Sequence, residues 1–128
     1  MGFSWQNIFA VGIGGFLGAT TRFYINILIG KNFPHELPLA TLSVNVIGSF
    51  IVGLLVALFL YFTPYEWLKL MLITGFLGAL TTYSTFAIET FFLLNSSFWI
   101  GILNIALNLI GSIVAVAFGY KLMLSFLR

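Results

Sequence analysis

Gly75-Phe76-Leu77-Gly78-Ala79-Leu80-Thr81-Thr82-Tyr83-Ser84-Thr85-Phe86 is the segment whose reading decides how this chain folds. It lies in the middle of an apolar run, yet half of its residues are Gly, Thr or Ser. These types form helices poorly or compete for backbone hydrogen bonds. Two conformations satisfy that composition. One is a continuous helix whose hydroxyls bond to their own backbone. The other is a pair of half-helices joined by unwound backbone, which membrane depth tolerates only where protein buries it or where it lines a cavity. Such a break frees carbonyls for a cation and turns a half-helix N-terminus toward an anion.

The surroundings of this segment put it in a bilayer. The chain has 128 residues, of which 61% are hydrophobic and 6% charged, against about 25% charged in soluble domains. Four segments reach the roughly 20 apolar residues that a spanning helix needs: residues 7–30, 39–62, 67–94 and 98–124. The expected architecture is therefore an all-α membrane protein, one domain over residues 1–128, with four transmembrane helices in a multi-pass arrangement. Met1-Gly2-Phe3-Ser4-Trp5 lacks a basic leader region, so the first segment is read as a retained span.

The connections have local causes. Lys31 to Pro38 concentrates polar residues and two of the three prolines, which predicts a loop. Thr63-Pro64-Tyr65-Glu66 reads as a helix start: Thr63 caps, Pro64 takes the first helical position, and Glu66 completes a capping box. Asn95-Ser96-Ser97 predicts a short turn that caps the fourth helix. Trp5, Tyr61, Tyr65, Trp67, Trp99 and Tyr120 lie near span ends, as an aromatic belt requires. Lys69, Lys121 and Arg128 fall on one side of the membrane, against Lys31 and Arg22 on the other. Three against two is a weak orientation signal. It is compatible with one fixed orientation or with insertion both ways.

Small and polar residues share helix faces. Gly101, Asn104, Asn108, Gly111, Ser112, Ala115 and Gly119 form one stripe in the fourth span, and Thr41, Asn45, Gly48 and Ser49 form another in the second. In the first, Gly14 and Gly18 make a GxxxG pair, and Arg22 shares a face with Gly15, Gly18 and Ala19. Close helix packing accounts for the glycines. The three asparagines add amide N–H donors, and donors gathered without carboxylates suit an anion. Arg22, costly in an apolar segment, points the same way. Gly12-Ile13-Gly14 is not a dinucleotide fingerprint, because position 17 is Leu.

Several classes are excluded. The chain contains no Cys and no Asp, so disulfides and thiolate chemistry are out, and no nucleophile–base pair or metal cluster is readable. It is not read as an enzyme. A net charge of +2, thinly spread, does not suggest nucleic acid. His35 is a loop residue.

The run from Gly75 to Phe86 resembles the signature of the Fluc fluoride channels, the CrcB family. Gly14-Gly15-Phe16-Leu17-Gly18-Ala19-Thr20-Thr21-Arg22-Phe23 is similar to that family's first helix. Thr41-Leu42-Ser43-Val44-Asn45-Val46-Ile47-Gly48-Ser49-Phe50 is similar to its second. The match runs in order through all four spans. The resemblance implies a third helix broken mid-membrane and an antiparallel, dual-topology homodimer with two pores. It also implies a structural Na⁺ at the dimer centre, held by backbone carbonyls at Gly78 and Thr81. Asn45 matches a pore asparagine, and Tyr83 and Phe86 match the pore aromatics. Asn104, Asn108 and Ser112 match a polar track, Arg22 the first-helix arginine, and Glu89 the glutamate beyond the break. Tyr83 stands where the family more often has Phe.

The implied function is passive, fluoride-selective export of toxic cytoplasmic fluoride across the cell membrane. Hydroxyls such as those of Ser84 and Thr85, the Asn45 amide and aromatic ring edges would replace water around the ion. Arg22 would attract the anion at a vestibule. Glu89 is expected either to pair with Arg22, Lys31 or a backbone group or lie near the membrane surface, or else to gate the path or shuttle a proton. The alternative is a small dual-topology multidrug or cation exporter. It is disfavoured because such a pump needs a carboxylate in its first helix, where this chain has Arg22.

Overall fold

Apolar residues on every side and no internal proline keep the first two spans helical from end to end. They form α1 (Trp5–Asn32) and α2 (Leu39–Tyr61). The structure, a computed structural model, describes residues 2–128. The third span is segmented into α3 (Glu66–Lys69), a π-helical stretch (Leu70–Leu77), α4 (Gly78–Leu80) and, after a break, α5 (Tyr83–Ser96). The last span is a single helix, α6 (Phe98–Leu127). All four spans are long and apolar enough to cross a bilayer. The helices extend a few residues beyond the apolar runs, into Asn32 and Ser96 at their polar ends.

Two helix starts differ from expectation. The third span begins at Glu66 with Tyr65 in the cap position and no side-chain cap. Thr63 therefore lies outside the helix, and the capping box is not formed. The turn before α6 is the single residue Ser97, which makes no cap bond. Its hydroxyl donates instead to Glu36 in the loop before α2. Asn95 and Ser96 donate back to Phe91 and Phe92 carbonyls within α5. Before α6, a distant or preceding partner thus outcompetes the local cap.

Glycines set the packing. None of the described glycines has a positive φ, so their role is close approach rather than chain reversal. A Cβ on Gly14 or Gly18 would overlap the carbonyls of Met71 and Phe76. The GxxxG pair of α1 thus seats the π-helical stretch within the same chain. A Cβ on Gly53 would overlap the Val116 carbonyl, and one on Gly119 the Phe50 carbonyl, which lets α2 and α6 lie backbone to backbone. Between these two pairs sits a small apolar centre of Val44, Leu77 and Leu80.

The third span does break. Thr81 (φ −79°, ψ 154°) and Thr82 (φ −149°, ψ 118°) are extended. In an unbroken helix the Thr82 amide would bond the Gly78 carbonyl. Here it donates to Asn45 Oδ1 at 2.7 Å. The Thr82 carbonyl accepts from Asn45 Nδ2 at 3.1 Å. One side-chain amide therefore satisfies both backbone groups of Thr82, much as a neighbouring strand would. Buried backbone groups must be paired, and Asn45 is the partner that makes the break tolerable. Gly48, one turn along α2, leaves room for it: a Cβ there would come within 2.5 Å of the Thr81 methyl.

Candidate functional site

A cleft of about 250 Å³ opens at the break. Its walls come from α2 (Asn45, Ser49), from the break and the start of α5 (Thr81, Thr82, Tyr83, Phe86), and from α6 (Asn108, Leu109, Ser112, Ile113). Three segments distant in sequence thus meet at membrane depth. Thr82 is also the N-cap of α5, and its hydroxyl accepts from the Thr85 amide at 3.2 Å. A helix N-terminus therefore opens in the middle of the membrane, with the positive end of its dipole there.

The structure brings Asn45, Tyr83, Phe86, Asn108 and Ser112 together on this cleft. Ser84, Thr85 and Asn104 do not line it. Ser84 is exposed on another face of α5. The hydroxyls of Thr82 and Thr85 share a 3.0 Å bond, so Thr85 belongs to the cap. Asn104 has no exposed surface and sits behind Asn108. Ser49, Thr81 and Thr82 line the cleft without having been singled out as anion-pore residues from the sequence. Ser49 lies one turn from Asn45 on the same small-polar face, a signal that could have found it.

The asparagine amides are engaged within the chain. Asn45 Nδ2 donates its second hydrogen to Asn108 Oδ1 at 2.9 Å. Asn108 Nδ2 donates to the backbone carbonyl and Oδ1 of Asn104, both at 3.0 Å. Asn104 Nδ2 donates to Thr90 Oγ1 at 2.9 Å. The direction of this chain is dictated by Thr82, whose fixed N–H and C=O leave only one way for the Asn45 amide to face. Donors that composition suggests are free are thus committed to one another. The donors left for the cleft are the hydroxyls of Ser49, Ser112 and Tyr83, which have no hydrogen-bond partner among the described residues, and the aromatic edges.

Tyr83 and Phe86 meet edge-on, with ring centroids 5.6 Å apart and planes at 62°. Phe86 is 6% exposed and Tyr83 74%. Phe86 is therefore held in the chain, while Tyr83 stands out from it. Ring edges carry the positive part of the aromatic quadrupole, so the pair offers a weak neutral surface for an anion.

The two intramembrane charges do not pair with each other. Arg22 Nε donates to the Ala79 carbonyl at 2.9 Å, which ties α1 to the last turn before the break. Glu89 Oε1 accepts from the Thr41 hydroxyl at 2.9 Å, and Glu89 Oε2 is buried without a hydrogen-bond partner. The partner of Glu89 is thus a hydroxyl on α2, rather than Arg22, Lys31 or a backbone group. The Glu89 carboxyl group stays one helix turn beyond the aromatic pair.

Among the described residues, no group of three or more His, Asp or Glu side chains converges as a metal site. Backbone oxygens are the remaining candidates. Redirection of the Thr82 amide frees the Gly78 carbonyl, and the Thr85 amide, bonded to its cap, leaves the Thr81 carbonyl without its helical donor. Gly78 is exposed and Thr81 half-buried. These neutral oxygens suit a hard cation.

Residues 9–120 match the family described as CrcB-like protein, Camphor Resistance (CrcB). The chain is 50% identical over 127 residues to the fluoride-specific ion channel FluC of Sulfurimonas denitrificans, covering 98% of both chains. It is 43% identical over 120 residues to the FluC of Nautilia profundicola, covering 91% of this chain and 92% of that one. The FluC of Methanocaldococcus jannaschii is 42% identical over 125 residues, or 96% and 98% of the two chains.

Proposed function

This chain belongs to the CrcB family, and on that premise we propose that it is a fluoride-selective passive channel of the cell membrane. The observation that carries the reading is the cleft at the broken third span, where neutral donors and ring edges replace formal charge. Fluoride is small and strongly hydrated. A pore must substitute for its water without holding the ion so tightly that it cannot leave. Ser49 and Ser112 can donate O–H groups, and Tyr83 and Phe86 can present ring edges. The Asn45 amide shapes this surface by holding Thr82. Arg22 bonds the Ala79 carbonyl beside the break and adds positive potential. The exporter reading is weakened because α1 has no carboxylate.

The working unit is proposed to be an antiparallel homodimer with a structural Na⁺ at its centre. The Gly78 and Thr81 carbonyls would hold that ion. Two oxygens from one chain leave a cation shell incomplete, and a second copy would double them. Na⁺ would fix the break and carries no part of the anion's path.

Fluoride efflux from proteoliposomes, recorded beside chloride, tests the reading. Fluoride is expected to leave rapidly while chloride stays. Equal rates for the two, or retention of fluoride by well-folded protein, would sink it.

A further inference from the structure

The hydrogen-bond chain behind the cleft does more than fill a polar gap. It starts at Thr82, the N-cap of α5, runs through Asn45 on α2 and through Asn108 and Asn104 on α6, and returns to α5 at Thr90. Thr82, Phe86 and Thr90 follow at intervals of four, so they lie on one face of the helix. All three are buried. The chain therefore grips α5 one turn on either side of Phe86, from two other helices.

Asn104 and Thr90 do not line the cleft, and Asn104 is fully buried. Neither can touch an ion there. The bonds of this chain are 2.7–3.1 Å long, and each amide hydrogen on Asn45 and Asn108 is engaged. A network with all of its members paired is rigid, and one missing partner leaves a buried group unsatisfied.

We propose that Asn104 and Thr90 are positioning residues that set the height of the Phe86 ring and the conformation of Thr82, acting on the ion's surroundings through Asn108 and Asn45. The proposal rests on the fluoride-channel reading for its consequence, though not for the grip itself.

Thr90→Val keeps the shape of the side chain and removes the acceptor. It is expected to slow fluoride efflux by roughly tenfold, the scale of one unsatisfied buried group. Thr90→Ser, which keeps the hydroxyl, should restore the rate. Asn104→Leu should lose as much as the double variant Asn104→Leu/Thr90→Val, because both cut one chain. A second readout needs no fluoride. Amide exchange over residues 81–86 should quicken in Thr90→Val while α1 and α2 keep their protection, because Asn45 no longer holds the Thr82 amide firmly. Wild-type rates and exchange in Thr90→Val would overturn the proposal, as would additive losses or a failure of Thr90→Ser to restore efflux. Should Thr90→Val fail to fold, Asn104→Leu carries the same two measurements. If the wild-type protein passes no fluoride, the channel reading fails, and local exchange alone decides whether the grip exists.

Discussion

Asn45 concentrates the consequences of the fold at one residue. Its amide bonds both backbone groups of Thr82 and the Asn108 side chain, and it is 9% exposed. Asn45→Asp keeps an acceptor for the Thr82 amide but loses the donors to the Thr82 carbonyl and Asn108 Oδ1. It also sets an anionic group on the wall of the proposed fluoride path. Efflux from proteoliposomes is expected to fall to background, and the melting temperature in detergent to drop, with about 1–3 kcal/mol lost for each buried acceptor left unpaired. Unchanged flux would remove Asn45 from the site. That an asparagine in an apolar helix mattered was legible in the sequence, because a buried amide must find partners. What it bonds was not legible. Its partner, Thr82, is one of three threonines in the same short run, and only the geometry of the break distinguishes it.

At the scale of the element, the third span shows where composition informs and where it stops. Its Gly, Ser and Thr content allowed a break or a continuous helix, and the structure has the break at Thr81 and Thr82. The π-helical stretch before it has no signature of its own. A π-turn is a small backbone adjustment made where packing demands it, and here α1 lies against it through glycine contacts with backbone. The expected caps at Thr63 and at Asn95 to Ser97 do not form; local capping is worth only about 1 kcal/mol, and at Ser97 the bond to Glu36 takes its place. The α1 contact is testable. Gly18→Val would force a side chain onto the Phe76 carbonyl, with the Ala79 Cβ 3.1 Å from the new Cβ. Overpacking costs roughly 1–3 kcal/mol, and backbone cannot move aside as a side chain can. A lower melting temperature in detergent is expected, together with loss of efflux. Gly12→Ala, whose Cβ meets nothing within 4 Å, should behave as wild type. Equal stability of the two variants would show that this packing does not fix the third span.

At the scale of the whole molecule, the proposed pore and cation site would each be completed by a second copy. The carbonyls freed at the break are too few to surround a cation, and Tyr83, 74% exposed, is not enclosed by its own chain. The charge pattern supplies the remaining constraint. Lys69, Lys121 and Arg128 oppose Lys31 and Arg22, so the bias that orients membrane proteins is nearly balanced. A chain inserted both ways in equal amounts would assemble antiparallel pairs without any further signal. Because the chain has no Cys, a single introduced thiol reports orientation without background. Gly2 is exposed, and a Cβ there meets nothing within 4 Å, so Gly2→Cys should leave the fold intact. With a membrane-impermeant maleimide applied to intact cells, about half of the chains should label, the balance following from the near-equal charge. The rest should label only after the membrane is opened. Adding two lysines to the loop between α1 and α2 should shift that ratio strongly to one side and lower fluoride efflux with it, since chains of one orientation would lack antiparallel partners. Labelling confined to one side of the wild-type membrane, with efflux intact, would rule out the antiparallel pair.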